Sequence, residues 1–179
     1  MTNVRLGRED WINGAMKLLA QSGAASVRVE PLAQRLKVTK GSFYWHFRDL
    51  ADLQDAMRQE WIRRSTDWVI DRVNAHSGDP AARFRKLIEL AGVKPPPIER
   101  AVRAWAAVDT ATAKTVRAVD EKRTGFVRDL LLEMGHDKVR AEAIARMLTC
   151  FVVGELMCGL TPDPRYNAAI ADLICASEP

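Results

Sequence analysis

A chain of 179 residues with 47% hydrophobic and 28% charged side chains has enough apolar surface to close its own core, and too much to remain disordered. Its three cysteines form no CxxC or Cys/His pairing, which argues against a disulfide framework or a zinc module. The net charge of +4 is unevenly placed: residues 1–50 hold eight basic and four acidic side chains, whereas the other 129 residues hold nineteen of each.

Apolar residues recur at helical spacing throughout, and no sustained period of two argues for a strand, so the expected fold is all-α. The start of the chain, with Arg5, Arg8, Glu9 and Asp10, carries no apolar leader, and no uncharged run is long enough to span a bilayer. A cytoplasmic location is expected. The first helix is predicted from about Glu9 to Ser22, with Trp11, Ala15 and Leu18 on one stripe and Gly23 closing it. Two short helices follow, Val29 to Leu36 and Lys40 to Phe47. A long helix from Asp49 to about Ala75 places Leu53, Met57, Trp61 and Trp68 on its buried side, with Asp49 as cap and Asp52 three residues on. Ser77-Gly78-Asp79-Pro80 is a loop, and a helix from about Ala81 to Val93 ends at Pro95-Pro96-Pro97. Helices from Ile98 to Val108 and Thr110 to Glu133 come next, then Lys138 to Gly159, the most apolar of all. A last helix reaches Cys175. Cys150, Cys158 and Cys175 sit among apolar neighbours and are expected to be buried packing thiols.

The chemistry concentrates between residues 29 and 47. Val29, Leu32, Ala33 and Leu36 make one apolar face, and Lys37-Val38-Thr39 is too short for anything but a sharp turn, with Thr39 placed to cap the next helix. Phe43 and Phe47, four apart, form the core face of that helix. Its other face presents Lys40, Gly41, Ser42, Tyr44, Trp45 and His46, with no carboxylate from Lys40 to Arg48. Lysine and helix N-terminal amides suit phosphates, Ser42 and Tyr44 reach phosphate or base edges, and Gly41 permits close approach. A helix-turn-helix entering the major groove of double-stranded DNA is the expected function of this segment.

The run Val29-Glu30-Pro31-Leu32-Ala33-Gln34-Arg35-Leu36-Lys37-Val38-Thr39-Lys40-Gly41-Ser42-Phe43-Tyr44-Trp45-His46-Phe47, followed by Asp49 and Leu53, resembles the signature of the tetracycline-repressor (TetR) family of transcriptional regulators. Upstream the resemblance extends through Ala15, Leu19 and Gly23, covering the first third of the chain. It implies an N-terminal three-helix bundle, residues 1–48, joined by a long helix to a helical ligand-binding and dimerisation domain, residues 49–179. Lys40, Gly41 and Tyr44 match positions that read base edges; Ser42, Trp45 and His46 match phosphate contacts, and Thr39 begins the recognition helix. Three residues depart from the pattern. Lys37 stands where the family usually has glycine, which implies either strain in the turn or a left-handed lysine, with the added charge able to reach a phosphate. Leu50 replaces a phosphate-binding lysine, and Arg28 replaces a hydroxyl cap while offering a phosphate grip.

The resemblance further implies a homodimer on a palindromic operator and a small-molecule effector held in the body, with Trp105, Phe126, Met147, Phe151 and Glu155 as expected walls. Glu155 equally suits an arginine across an interface. Ile144, Met147, Leu148, Phe151, Val152 and Leu156 make a stripe broad enough for a dimer contact or for the body's core, and Ala145 and Gly154 permit close helix approach. The alternative reading is a helical ligand-binding protein or an enzyme with an incidental hairpin. His46, His76 and His136 are far apart, and no nucleophile motif, metal-ligand pair or phosphate-binding glycine loop supports it, so no catalytic residue, metal or cofactor is expected. A ligand-free architectural DNA-binding protein would be basic throughout, which the neutral body is not.

Overall fold

The computed structural model describes residues 6–93 and 96–176; Arg5 and Pro95 of the sequence reading lie outside the described residues. Among the described residues the structure is helical without a strand. Its helices are α1 (Arg8–Ser22), α2 (Val29–Leu36), α3 (Lys40–Phe43), α4 (Leu50–Ile62), α5 (Trp68–Asn74), α6 (Pro80–Ala91), α7 (Pro97–Ala106), α8 (Thr110–Glu133), α9 (Lys138–Cys158) and α10 (Pro164–Cys175). The chain forms two compact units, one from residues up to Arg63 plus Pro97–Val116, the other from Arg64–Pro96 and Arg117 onward.

In the first unit, Trp11, Ala15, Leu19, Leu32, Phe43, Phe47, Leu53 and Met57 are buried together in the core. Trp11 meets Phe43 edge-on at 5.4 Å between ring centroids, and Phe43 stacks on Phe47 at 5.4 Å. Gly14 lets α1 approach α2 closely: a β-carbon there would stand 3.1 Å from Leu36 and 3.2 Å from Leu32. Asp49 caps α4 by accepting the Asp52 amide at 2.9 Å, while the Asp52 carboxylate reaches back to the Arg48 amide at 3.1 Å.

This unit takes in α4, α7 and the first turns of α8 in addition to the helices before residue 49, and α7 packs on α1. Polar groups buried in it explain the recruitment. The Trp61 indole Nε1 donates to Glu99 Oε2 at 2.7 Å, and Arg103 lies 3.9 Å from the same carboxylate. Arg58, 7% exposed, stacks over Trp105 at 5.3 Å, donates to the Thr112 hydroxyl at 3.3 Å and pairs with Asp55 and Asp109. The Thr112 hydroxyl and amide, with Arg58 beside them, hold the Asp109 carboxyl below its usual range.

The long helix expected from Asp49 to Ala75 is interrupted by a π-turn, Arg63–Asp67. Within the second unit, the Arg123 guanidinium donates to the Ser65 hydroxyl at 3.1 Å, the Ser65 carbonyl at 3.5 Å and the Thr66 hydroxyl at 3.1 Å. A wider turn frees a carbonyl, and the guanidinium takes it up. The turn breaks the register of the apolar stripe, so Trp68 is exposed, with Arg72 over its ring at 4.4 Å, whereas Trp61 is buried.

The core of the second unit gathers Val73, Phe84, Leu87, Leu130, Leu131, Ala141, Ala145, Leu148, Ala171 and Ile174, with α6 packed on both α5 and α10. The cysteine expectation is corrected: Cys150 and Cys158 lie on the exposed side of α9, and only Cys175 is half-buried, its thiol pushed up chiefly by burial. No helix among the described residues is long and apolar enough to cross a membrane.

Glu99→Ala strands the buried Trp61 N–H and removes the carboxylate facing Arg103, so it is expected to cost roughly 2–4 kcal/mol. Urea unfolding followed by tryptophan fluorescence checks this; an unchanged midpoint would show that the hydrogen bond contributes nothing.

Candidate nucleic-acid interface

Arg28 enters α2 in an extended conformation, its carbonyl accepting the Leu32 amide at 3.1 Å while its side chain makes no cap bond and stays exposed. At the other end, Lys37 adopts the left-handed conformation, φ 57° and ψ 40°. The Val38 amide reaches back to the Ala33 carbonyl at 3.0 Å and the Lys37 amide to Gln34 at 3.1 Å, a Schellman-type closure that reverses the chain within three residues. The sequence expectation of a left-handed lysine matches this geometry.

Thr39 departs from its expected role: its hydroxyl makes no cap bond, and its carbonyl instead accepts the Ser42 amide at 3.0 Å. The helix it opens is also shorter than expected. Beyond Phe43 the backbone tightens into turns, with Tyr44 N–H on Gly41 O at 3.2 Å and His46 N–H on Phe43 O at 2.9 Å. Three consecutive aromatic residues are mediocre helix formers, and burial of both Phe43 and Phe47 holds the segment without a regular helix.

Burial of those two rings turns their neighbours outward. Tyr44 is 56% exposed, its ring edge-on to Phe43 at 5.3 Å, and Trp45 is 88% exposed. Lys37, Thr39, Lys40 and Gly41 are exposed, while Ser42 and His46 are half-buried. None of the nine residues expected to meet DNA is buried.

One participant escaped the sequence reading. Glu30, on α2, accepts a hydrogen bond from Lys40 Nζ at 2.7 Å, so a carboxylate does face the segment. The pair lowers the Glu30 carboxyl and raises the Lys40 ammonium, with Arg28 adding to the first effect and Tyr44 to the second. Both side chains are more than half exposed, so the contact holds the lysine in place more than it stabilises the fold. Ten residues and a reversal separate the partners, a spacing that no helical periodicity reveals.

The expected effector walls are divided between the two units. Trp105 is buried in the first unit beneath Arg58. Phe126 and Glu155, in the second, are half-buried, and the side chains of Met147 and Phe151 are exposed. Breadth of an apolar stripe cannot tell which face of α9 its own chain covers. A cleft in the second unit, between α6 and α10, is lined by none of the five. Among the described residues no group of three or more His, Cys, Asp or Glu is placed to hold a metal ion.

Lys37→Gly removes a side chain from the left-handed region, and a gain of about 0.5–1 kcal/mol is expected after the greater entropy of unfolded glycine is deducted. Thermal unfolding of the two proteins measures it; a loss of stability would mean that the lysine stem makes contacts worth more than the strain.

Residues 12–57 match the family described as bacterial regulatory proteins, tetR family. The tetracycline repressor protein class D of Escherichia coli is 34% identical over 66 residues, which are 37% of this chain and 30% of that protein. The HTH-type transcriptional regulator AcrR of Shigella flexneri is 26% identical over 81 residues, 45% of this chain and 38% of that one, so the matches span about a third of the curated relatives' length. Solved structures extend the likeness of fold. A TetR transcription regulator from Haloarcula marismortui superposes with a TM-score of 0.75 at 20% identity, over 94% of this chain and 96% of its own. A transcriptional regulator from Rhodococcus sp. Rha1 gives 0.70 at 20% identity, over 96% and 95%. The N-terminal segment, residues 12–57, is thus similar to the tetR family of bacterial regulatory proteins, and the all-α fold of the whole chain is shared with solved transcriptional regulators.

Proposed function

We propose that the protein is a sequence-specific, DNA-binding transcriptional regulator acting as a ligand-released repressor. The observation that carries this reading is the exposed Tyr44-Trp45 pair, held beside Lys40 and Gly41 by a buried Phe43-Phe47 clasp directly after a three-residue turn. Exposed aromatics cost solvation unless they meet a partner, and this pair stands in a run with no carboxylate from Lys40 to Arg48.

In this reading Lys40, Gly41 and Tyr44 address base edges in the major groove, and Ser42, Trp45 and His46 meet phosphates. Arg28, Lys37 and Thr39 widen the phosphate grip. One head reads half of a palindromic operator, so two copies must act together. Support for a homodimer comes from α9 and α10, where Met147, Phe151, Met157, Tyr166 and Leu173 are exposed although four of the five are strongly apolar. An effector bound in the helical body releases the DNA by favouring a conformer with wrongly spaced heads, for which a coupling of a few kcal/mol suffices.

The test is fluorescence anisotropy with the DNA upstream of the protein's own reading frame. Tyr44→Ala is expected to weaken specific binding at least tenfold while leaving the fold intact, because the side chain is more than half exposed. Equal affinity for unrelated DNA, or an unchanged Tyr44→Ala variant, would refute the proposal. In the same assay Glu30→Gln should tighten binding several-fold, since Lys40 then approaches the groove without a competing carboxylate.

A further inference from the structure

The cleft between α6 and α10 lies wholly within the second unit and encloses about 570 Å³. Ile88, Val93, Pro162, Pro164 and Ala171 give it a mainly apolar lining. One polar group in that lining is out of place. Asn167 is 8% exposed, and its Nδ2 has no hydrogen-bond partner, a state that buried amides rarely keep. Residue 92 is shaped to it: a β-carbon on Gly92 would stand 2.2 Å from that nitrogen, so only glycine leaves the amide its place. An apolar recess with a single unsatisfied donor is the form that small-molecule sites commonly take.

The charges around the cleft define what it accepts. Arg85 at the mouth is paired with Asp172, and Glu89 with Lys86 at 2.9 Å, so each lining charge already has its counterion. An anion or a cation entering would have to break one of these pairs, whereas an uncharged molecule leaves them intact. The one unmet demand is for a hydrogen-bond acceptor. The side-chain amide turns about a soft terminal torsion, so its donor can swing toward the cleft at little cost. We propose that this cleft is a binding site for a compact, uncharged, mainly apolar molecule bearing a carbonyl oxygen, which Asn167 Nδ2 engages. The site is distinct from the walls expected on α7, α8 and α9 and draws nothing from the DNA-binding reading.

The experiment is an amide-resolved NMR titration of the full chain, without DNA, using camphor as a rigid neutral ketone. Camphor-10-sulfonate and bornylamine serve as its anionic and cationic counterparts. Camphor is expected to shift the Asn167 side-chain amide signals together with the backbone signals of Ile88 and Ala171. Ala168→Phe fills the cleft from an exposed position, so the protein stays folded, and it should abolish those shifts. Asn167→Asp, which replaces the donor by an acceptor, should weaken binding at least tenfold. The charged analogues should bind at least tenfold more weakly than camphor. Shifts that survive in Ala168→Phe, that cluster elsewhere, or that are absent up to the solubility of camphor would overturn the site. Equal binding by the charged analogues or by Asn167→Asp would overturn the assigned ligand class.

Discussion

Two phenylalanines four residues apart must be buried on the same side of a segment only a few residues long, and this requirement organises the first unit. Phe43 stacks on Phe47 and meets Trp11 edge-on, and both phenylalanine rings are buried. Once these rings are inward, residues between and beside them have no choice of direction. Tyr44 and Trp45 stand in solvent because Phe43 and Phe47 do not. The candidate interface is thus the complement of a core decision, and this explains how a segment with only one turn of regular helix presents a defined surface.

The same unit is held from a second side by polar groups. Trp61 and Glu99 bridge α4 and α7 through one buried hydrogen bond, and Arg58 ties α4 to the start of α8 through Thr112 and Asp109. Such contacts stabilise little relative to a well-packed apolar alternative, but they penalise misplacement, since a shifted α7 leaves buried charge unpaired. Residues 97–116 therefore answer to the head as much as to the helices that follow them in the chain.

Much of this was legible in the sequence where a residue pattern has only one structural solution. The bounds of α2 and α8 follow from apolar spacing and flanking breakers, and the left-handed Lys37 from the resemblance, which implies glycine at that position. What stayed hidden depends on partners distant in sequence. The π-turn at 63–67 answers to Arg123, nearly sixty residues on, so Trp61 and Trp68 looked equivalent when they are not. Apolar neighbours suggest a buried Cys150, and Met147 and Phe151 belong to an apolar stripe, yet periodicity reports how wide a stripe is and not which part of it the chain itself covers. That Trp105 packs under Arg58 is equally invisible in the spacing, because the two residues are far apart in sequence. For the nine candidate interface residues the sequence was sufficient to keep them out of the core, and insufficient to show Glu30 beside Lys40.

That carboxylate alters the ionic bookkeeping of the surface. A lysine that leaves bulk water for a phosphate normally exchanges one counterion on the nucleic acid for itself, and the exchange is counted in how affinity responds to ionic strength. Lys40 already carries its anion as a covalent part of the chain, 2.7 Å away. Unless Glu30 moves aside, the ammonium arrives with its charge cancelled and displaces no net cation. The thermodynamic count of ions released on binding would then fall one short of the number of basic side chains touching the duplex, a discrepancy written into the protein ten residues before the lysine that shows it.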